Sequence, residues 1–378
     1  AYENSDSFRE FIESERVFLN PVLRWKLSER TQADFWVQYT HTDDPLDAGI
    51  PPLGSRPAPI PRERNLGEAD SIFEFDDTRI GFDWSHAFND RWTLRHTFES
   101  VFSHQALSPV ALPISPPDPA RCSAENCPVD RVFFDSPTTD ADAYYTALNL
   151  TGKFDTWGFA HTLLLGGDYW RHQSSSTSRI VFSAPPIDLF NPVHTGIPSN
   201  VFDTPDSVEQ AEGSEDWYGF YVQDQVKLPF DVHLLAGFRY DDARQSSNSS
   251  KSEDSAVTPR FGLLWQPIPA LSLYGNYVEN FGTANVFSLT ASGTAPPPET
   301  AQQWEIGAKT ELFDGRLSAT LAWFDLTKQN IASPDPDPVR ALAGFSVTTG
   351  EARNRGLEFD LAGELWPGVS AIASYAYI

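Results

Sequence analysis

Between Glu299 and Tyr377 the chain alternates apolar and polar residues with a two-residue period, through four successive runs separated by legible reversals. Trp304, Ile306, Ala308 and Leu312 alternate with Gln303, Glu305, Lys309 and Glu311. Phe313, Asp314 and Gly315 turn the chain into Leu317, Ala319, Leu321 and Trp323, set against Ser318 and Thr320. After a Pro- and Asp-rich excursion, Leu357, Phe359, Leu361 and Leu365 stand opposite Glu358, Asp360 and Glu364. Pro367 and Gly368 then reverse the chain into Val369, Ala371, Ala373, Tyr375 and Tyr377. A period of two places successive side chains on opposite faces of a strand, so each run has one greasy face and one charged face.

Two architectures accept such strands. A soluble sandwich buries its apolar faces between packed sheets and has short connections at both ends. A transmembrane barrel turns the apolar face to lipid and the polar face to its bore, with brief turns on one side and long loops on the other. The rest of the chain repeats the second arrangement. Leu23, Trp25 and Leu27 lead through Ser28–Arg30 into Ala33, Phe35, Val37 and Tyr39. Ile80, Phe82, Trp84 and Phe88 lead through 89–91 into Trp92, Leu94, His96 and Phe98. Further hairpins are expected over 144–170, 218–240 and 257–277, making seven in all. Long loops are expected at 43–76, 105–140 and 174–216, with shorter ones at 241–255 and 282–298. The fold class expected is an all-β antiparallel transmembrane barrel segment, about 14 to 15 strands, over residues 1–378.

The bulk properties agree. No apolar run approaches the roughly 18 residues of a spanning helix. The chain carries 11 Trp, 12 Tyr and 27 Phe, which suits the aromatic girdles of a barrel. A net charge of -25 argues against a nucleic-acid partner, because binding there depends on Lys and Arg neutralising phosphates. The sequence contains no Met and opens Ala-Tyr-Glu-Asn, and Val369–Ile378 stops in mid-pattern, so a piece of a longer polypeptide is expected. Cys122 and Cys127, five positions apart in a polar loop, favour a local disulfide in an oxidising compartment. A two-cysteine metal site is the rival, with no His or further Cys near in sequence to complete it.

Several segments in order carry a family resemblance: Tyr2–Arg9, Tyr221–Gln225 followed by Gly237–Asp241, Thr258–Gly262, Pro298–Thr300 through Trp304–Gly307, and Gly350–Glu358. Together they resemble TonB-dependent outer-membrane receptors of the ferric-siderophore type. The resemblance implies a 22-stranded barrel around an N-terminal plug, with plug and last strands outside this chain. It also implies capture of a ferric siderophore at the bacterial surface and import with energy from TonB. The implied partners are the chelate, the TonB complex and outer-membrane lipid; iron travels as cargo, with no protein cofactor and no enzymatic activity.

No catalytic constellation stands out, and no protein metal ligand is expected. His86, His96 and His161 lie within strand patterns, where a hydrogen-bonded structural role is the simpler one. Glu358, Asp360 and Glu364 fall on the polar, bore-facing side. Loop aromatics Phe190, Phe202, Phe281 and Phe287 can offer apolar contact to a rigid chelate, although packing the loops together accounts for any one of them. A passive porin and a soluble secreted β-sheet protein are the alternatives.

Overall fold

The computed structural model describes all residues except Asp70, Ser115, Ala124 and 284–288, together with the side chain of Thr349. Its main body is one 16-stranded antiparallel sheet whose strands follow chain order. The wall strands are β1 (Tyr2–Asp6), β2 (Glu13–Leu19), β3 (Val22–Ser28), β4 (Thr31–Pro45), β5 (Ile72–Ala87), β6 (Trp92–Pro113), β7 (Arg131–Thr156) and β8 (Phe159–Val181). They continue as β9 (Ser207–Leu228), β10 (Val232–Ser247), β11 (Lys251–Ile268), β12 (Leu271–Gly282), β13 (Glu299–Leu312), β14 (Leu317–Pro334), β15 (Ser346–Trp366) and β16 (Val369–Tyr377). Both β2 and β3 pair with β4, Leu19 opposite Tyr39 and Val22 opposite Trp36. They are halves of one strand interrupted at Asn20 and Pro21, because proline has no N–H to give the ladder. Among the described residues, no helix is long and apolar enough to cross a membrane.

Register assigns the faces. Val37 pairs with Ile80, Ile80 with Ser100, Phe220 with Tyr240, and Ile306 with Trp323. These residues share one face, and their large apolar side chains are exposed: Phe220 at 62%, Ile306 at 57%, Ile80 at 46%. No second sheet covers that face among the described residues. A contiguous band of bare apolar side chains on a single-layer wall is the surface that lipid covers. Tyr144, Tyr169, Tyr218 and Tyr240 lie on the same face toward the long-loop end, with Tyr169 and Tyr218 rings 4.7 Å apart. Trp25, Phe88 and Trp265 stand exposed near the short turns.

Seven short reversals join the strands at one end, at 29–30, 88–91, 157–158, 229–231, 269–270, 313–316 and 367–368. The other end differs from expectation: strands run far into the stretches read as loops. The 105–140 loop contracts to 114–130, and the 241–255 loop to three residues between Ser247 and Lys251. The wall reaches 26 residues in β7, roughly 85 Å of chain at 3.3 Å per residue, whereas a barrel strand needs about 9–11 residues to cross the bilayer. The surplus stands in water on both faces. Alternation therefore fades there, as in Ser174–Ser178, while the ladder continues unbroken opposite Gly213–Glu209.

Candidate functional site

The inner face of the wall is a lattice of charges paired across strands. Arg24 on β3 makes a two-pronged contact with Asp34 on β4, at 2.7 and 2.9 Å. Asp34 stands opposite Asp83 on β5, and Asp83 accepts from Arg95 Nε at 2.7 Å and Thr97 at 2.8 Å on β6. Two carboxylates side by side are thus flanked by two guanidinium groups. The fork of arginine suits this, because it meets both oxygens of a carboxylate at once.

A second lattice spans β7 to β10. Arg239 donates from Nη1 and Nη2 to Asp168 at 2.7 and 2.9 Å, and from Nε to Asp241 at 2.8 Å. The Trp217 indole donates to Asp241 at 2.6 Å, and the Tyr221 hydroxyl donates to Asn149 at 2.7 Å. Gly219 lies beneath the bridge: a Cβ there would overlap the guanidinium and the Asp168 carboxylate. Further round, Tyr274 donates to Glu305 at 2.7 Å, with Lys309 5.1 Å above the tyrosine ring.

At the long-loop end, three connections and the turn between β1 and β2 fuse into a cap. Leu66 from 46–71, Cys127 and Val129 from 114–130, and Ile187 and Leu189 from 182–206 form one apolar core. All five are nearly fully buried. Arg131 at the foot of β7 pairs with Glu68 at 2.9 Å, both side chains 2% exposed. Arg131 also donates to the carbonyls of Leu66 and Pro185, and Glu68 accepts from the Gly196 amide. Arg9 joins the first turn to this unit through Asp47 at 2.6 and 2.7 Å. That hydrogen bond holds the Asp47 carboxyl below its usual range.

The residues singled out from sequence fall as follows. Cys122 and Cys127 are joined as a disulfide, Cα atoms 4.1 Å apart, with Cys127 inside the cap core. Phe190 packs on that same core. Phe202 packs on a second small core of Ala111, Phe133 and Val181, with the Arg179 guanidinium 4.8 Å over its ring. Phe281 is 8% exposed and meets Trp217 edge-to-face at 5.7 Å. Phe287 lies outside the described residues. The structure does not gather Phe190, Phe202 and Phe281 into one pocket. His86 meets Thr31 at 2.8 Å, His96 meets Thr146 at 2.9 Å, and His161 meets Asp224 at 2.7 Å, each partnered within the wall. Asp360 accepts from Ser374, and Glu364 lies 3.5 Å from Arg316. The cap ion pair was not singled out, and Arg239 and Asp241 stood only within a segment carrying the family resemblance; for the cap, isolated apolar residues inside polar loops, such as Leu66 and Leu189, were the available signal.

An apolar-sheathed, charge-lined wall with all its long connections at one end is that of an outer-membrane β-barrel. The chain belongs to the TonB dependent receptor-like, beta-barrel family, whose model matches residues 24–378. It is 29% identical over 394 aligned positions to the Metal-pseudopaline receptor CntO of Pseudomonas aeruginosa, covering 100% of this chain and 53% of that protein. It is 26% identical to the ferrichrome outer membrane transporter/phage receptor of Escherichia coli, covering 97% of this chain and 51% of that one. Among solved structures, the ferripyoverdine receptor of the outer membrane of P. aeruginosa superposes with TM-score 0.82 at 21% identity, over 100% of this chain and 50% of that one. The ferric-catecholate import receptor Fiu of E. coli superposes with TM-score 0.81 at 18% identity, over 99% and 59%. The chain thus spans about half the length of the curated relatives it matches. Its place is the bacterial outer membrane.

Proposed function

We propose that this wall belongs to a receptor that captures a metal–chelate complex at the cell surface, a ferric siderophore first among them, and imports it with energy delivered through TonB. The observation that carries the reading is the cap. Three loops share an apolar core closed by a buried ion pair, and the first turn is tied to them through Arg9 and Asp47, which supports a preformed binding vestibule rather than an open diffusion mouth. The bore-facing side supports the passage of a polar cargo, since Arg24, Arg95 and Arg239 on it are already paired within the wall. Relatives named for ferrichrome, ferrioxamine B and pyoverdine support the cargo class.

The test is uptake of radiolabelled iron on a panel of siderophores. The host is a strain lacking its own receptors, carrying the full-length gene, with and without TonB. TonB-dependent uptake of at least one chelate is expected. Uptake indifferent to TonB would make the protein a passive pore, and no uptake of any chelate would reject the cargo class.

A further inference from the structure

On the outer face, just beyond Tyr39, β4 and β5 bring together His41, Glu74 and Asp76. One ligand atom from each lies within 4.8 Å of the other two. The ladder enforces this: His41 stands opposite Asp76, and Glu74 follows two residues along on the same face. His41 Nδ1 is 3.0 Å from Asp76 Oδ1, and the Tyr39 hydroxyl donates to the same oxygen at 2.8 Å, which fixes the carboxylate. The other ring nitrogen, Nε2, faces Asp43 at 3.6 Å. A neutral imidazole has one N–H for these two carboxylates; a proton on the second nitrogen or a cation bound beside the ring would supply the positive charge that the other carboxylate lacks.

A separate observation makes the same demand. Register places Glu15 opposite Asp43, Asp76 opposite His104, and His104 opposite Asp140. Asp142 follows on the same face. The patch therefore presents six carboxylates, and among the described residues none of the six pairs with a lysine or arginine. Their ion pairs are with His41 and His104 only. His104 is held at Nδ1 by Asp140 at 2.7 Å.

We propose that His41, Glu74 and Asp76 form a site for a divalent transition cation of the zinc class, on the outside of the wall and apart from the bore. One imidazole and two carboxylates are a suitable donor set for such an ion. Three protein ligands leave a coordination position for water. Bound there, the cation ties β4 to β5 at the point where the wall leaves the apolar band and neutralises part of the acidic patch. The inference does not rest on the import reading, since the site needs only the wall.

Intact receptor, purified in detergent, stripped with EDTA and free of any iron chelate, is titrated with zinc chloride by calorimetry. Thermal unfolding is followed with and without the metal. Zinc binding that raises the unfolding temperature is expected. His41→Ala and Asp76→Asn should each weaken it by about ten-fold or more, with the heat-modifiable migration of the folded barrel retained. Asp314→Asn, in the short turn at 313–316 and outside the acidic patch, should bind as the wild type does. Glu74→Gln, at an exposed position, repeats the test should either of the first two fail to fold. A wild-type protein that takes up no zinc, or folded triad variants that bind it as tightly as wild type, would overturn the proposal.

Discussion

Gly219 and Arg239 occupy neighbouring strands of the inner wall so closely that the guanidinium fills the space where a glycine Cβ would stand. The bridge from Arg239 to Asp168, spanning the whole of β9, exists because β9 is bare at that one position. Gly219→Ala is expected to push the guanidinium off Asp168 and destabilise the barrel by about 1–3 kcal/mol, the usual cost of overpacking. Gly219→Val should cost more. Urea unfolding of the detergent-solubilised barrel, followed by heat-modifiable migration, measures the difference.

Glu68→Ala should strand Arg131 inside the cap, where both side chains are 2% exposed. Removing one partner of a buried pair costs about 3–5 kcal/mol. The cost should appear as protease cleavage within 46–71 and 182–206, with the wall intact. The double change Glu68→Leu with Arg131→Met removes both charges and is expected to be milder than the single one. A single variant as resistant as wild type would show that the pair does not hold the cap.

Acid should release the first turn from the cap. The Arg9 guanidinium lowers the Asp47 carboxyl, with a further hydrogen bond from the Gly49 amide, against the opposing effect of its partial burial. A group whose folded-state pKa is depressed contributes stability that is present above the unfolded value, about 3.9 for aspartate. That stability is lost as pH falls through the lower folded value. The protection factor for hydrogen exchange at 7–12, taken against the intrinsic rate at each pH, is therefore expected to be high at neutral pH and to fall in strong acid. In Asp47→Asn it should be low at neutral pH already and nearly flat with pH.

Replacing both cysteines by serine, Cys122→Ser with Cys127→Ser, should loosen 119–126 without opening the cap. The bridge closes a loop of sequence separation 5, for which chain entropy supplies roughly 2 kcal/mol. The remaining cap core of Leu66, Val129 and Leu189 does not depend on it. Limited proteolysis is expected to cut near 119–126 first and leave 182–206 protected.

The hairpins were legible because lipid on one side and a polar bore on the other impose a period of two on the spanning parts. Phe220, Val222 and Phe238 carry that signal without help from context. It stops where the wall leaves the bilayer: Thr138–Asp142 and Ser174–Ser178 are strand with water on both faces, and nothing there forces alternation. The break at Pro21 falls inside an otherwise regular run, and only the pairing of Leu19 and Val22 with separate parts of β4 reveals it. Cap and triad were illegible for another reason. Glu68 and Arg131 are 63 residues apart, and His41 and Asp76 are 35 apart. No local spacing links such pairs; loop docking and strand register do.

The self-paired inner lattices bear on what can move through the bore. Arg24 and Arg95 find their counter-ions on neighbouring strands, and Arg239 finds its own two strands away and on its own strand, so nothing that enters is required to supply one. A solid stopper or a passing solute can then exchange with water without abandoning a bare ion. Emptying the tube thus carries no large electrostatic penalty from these three arginines.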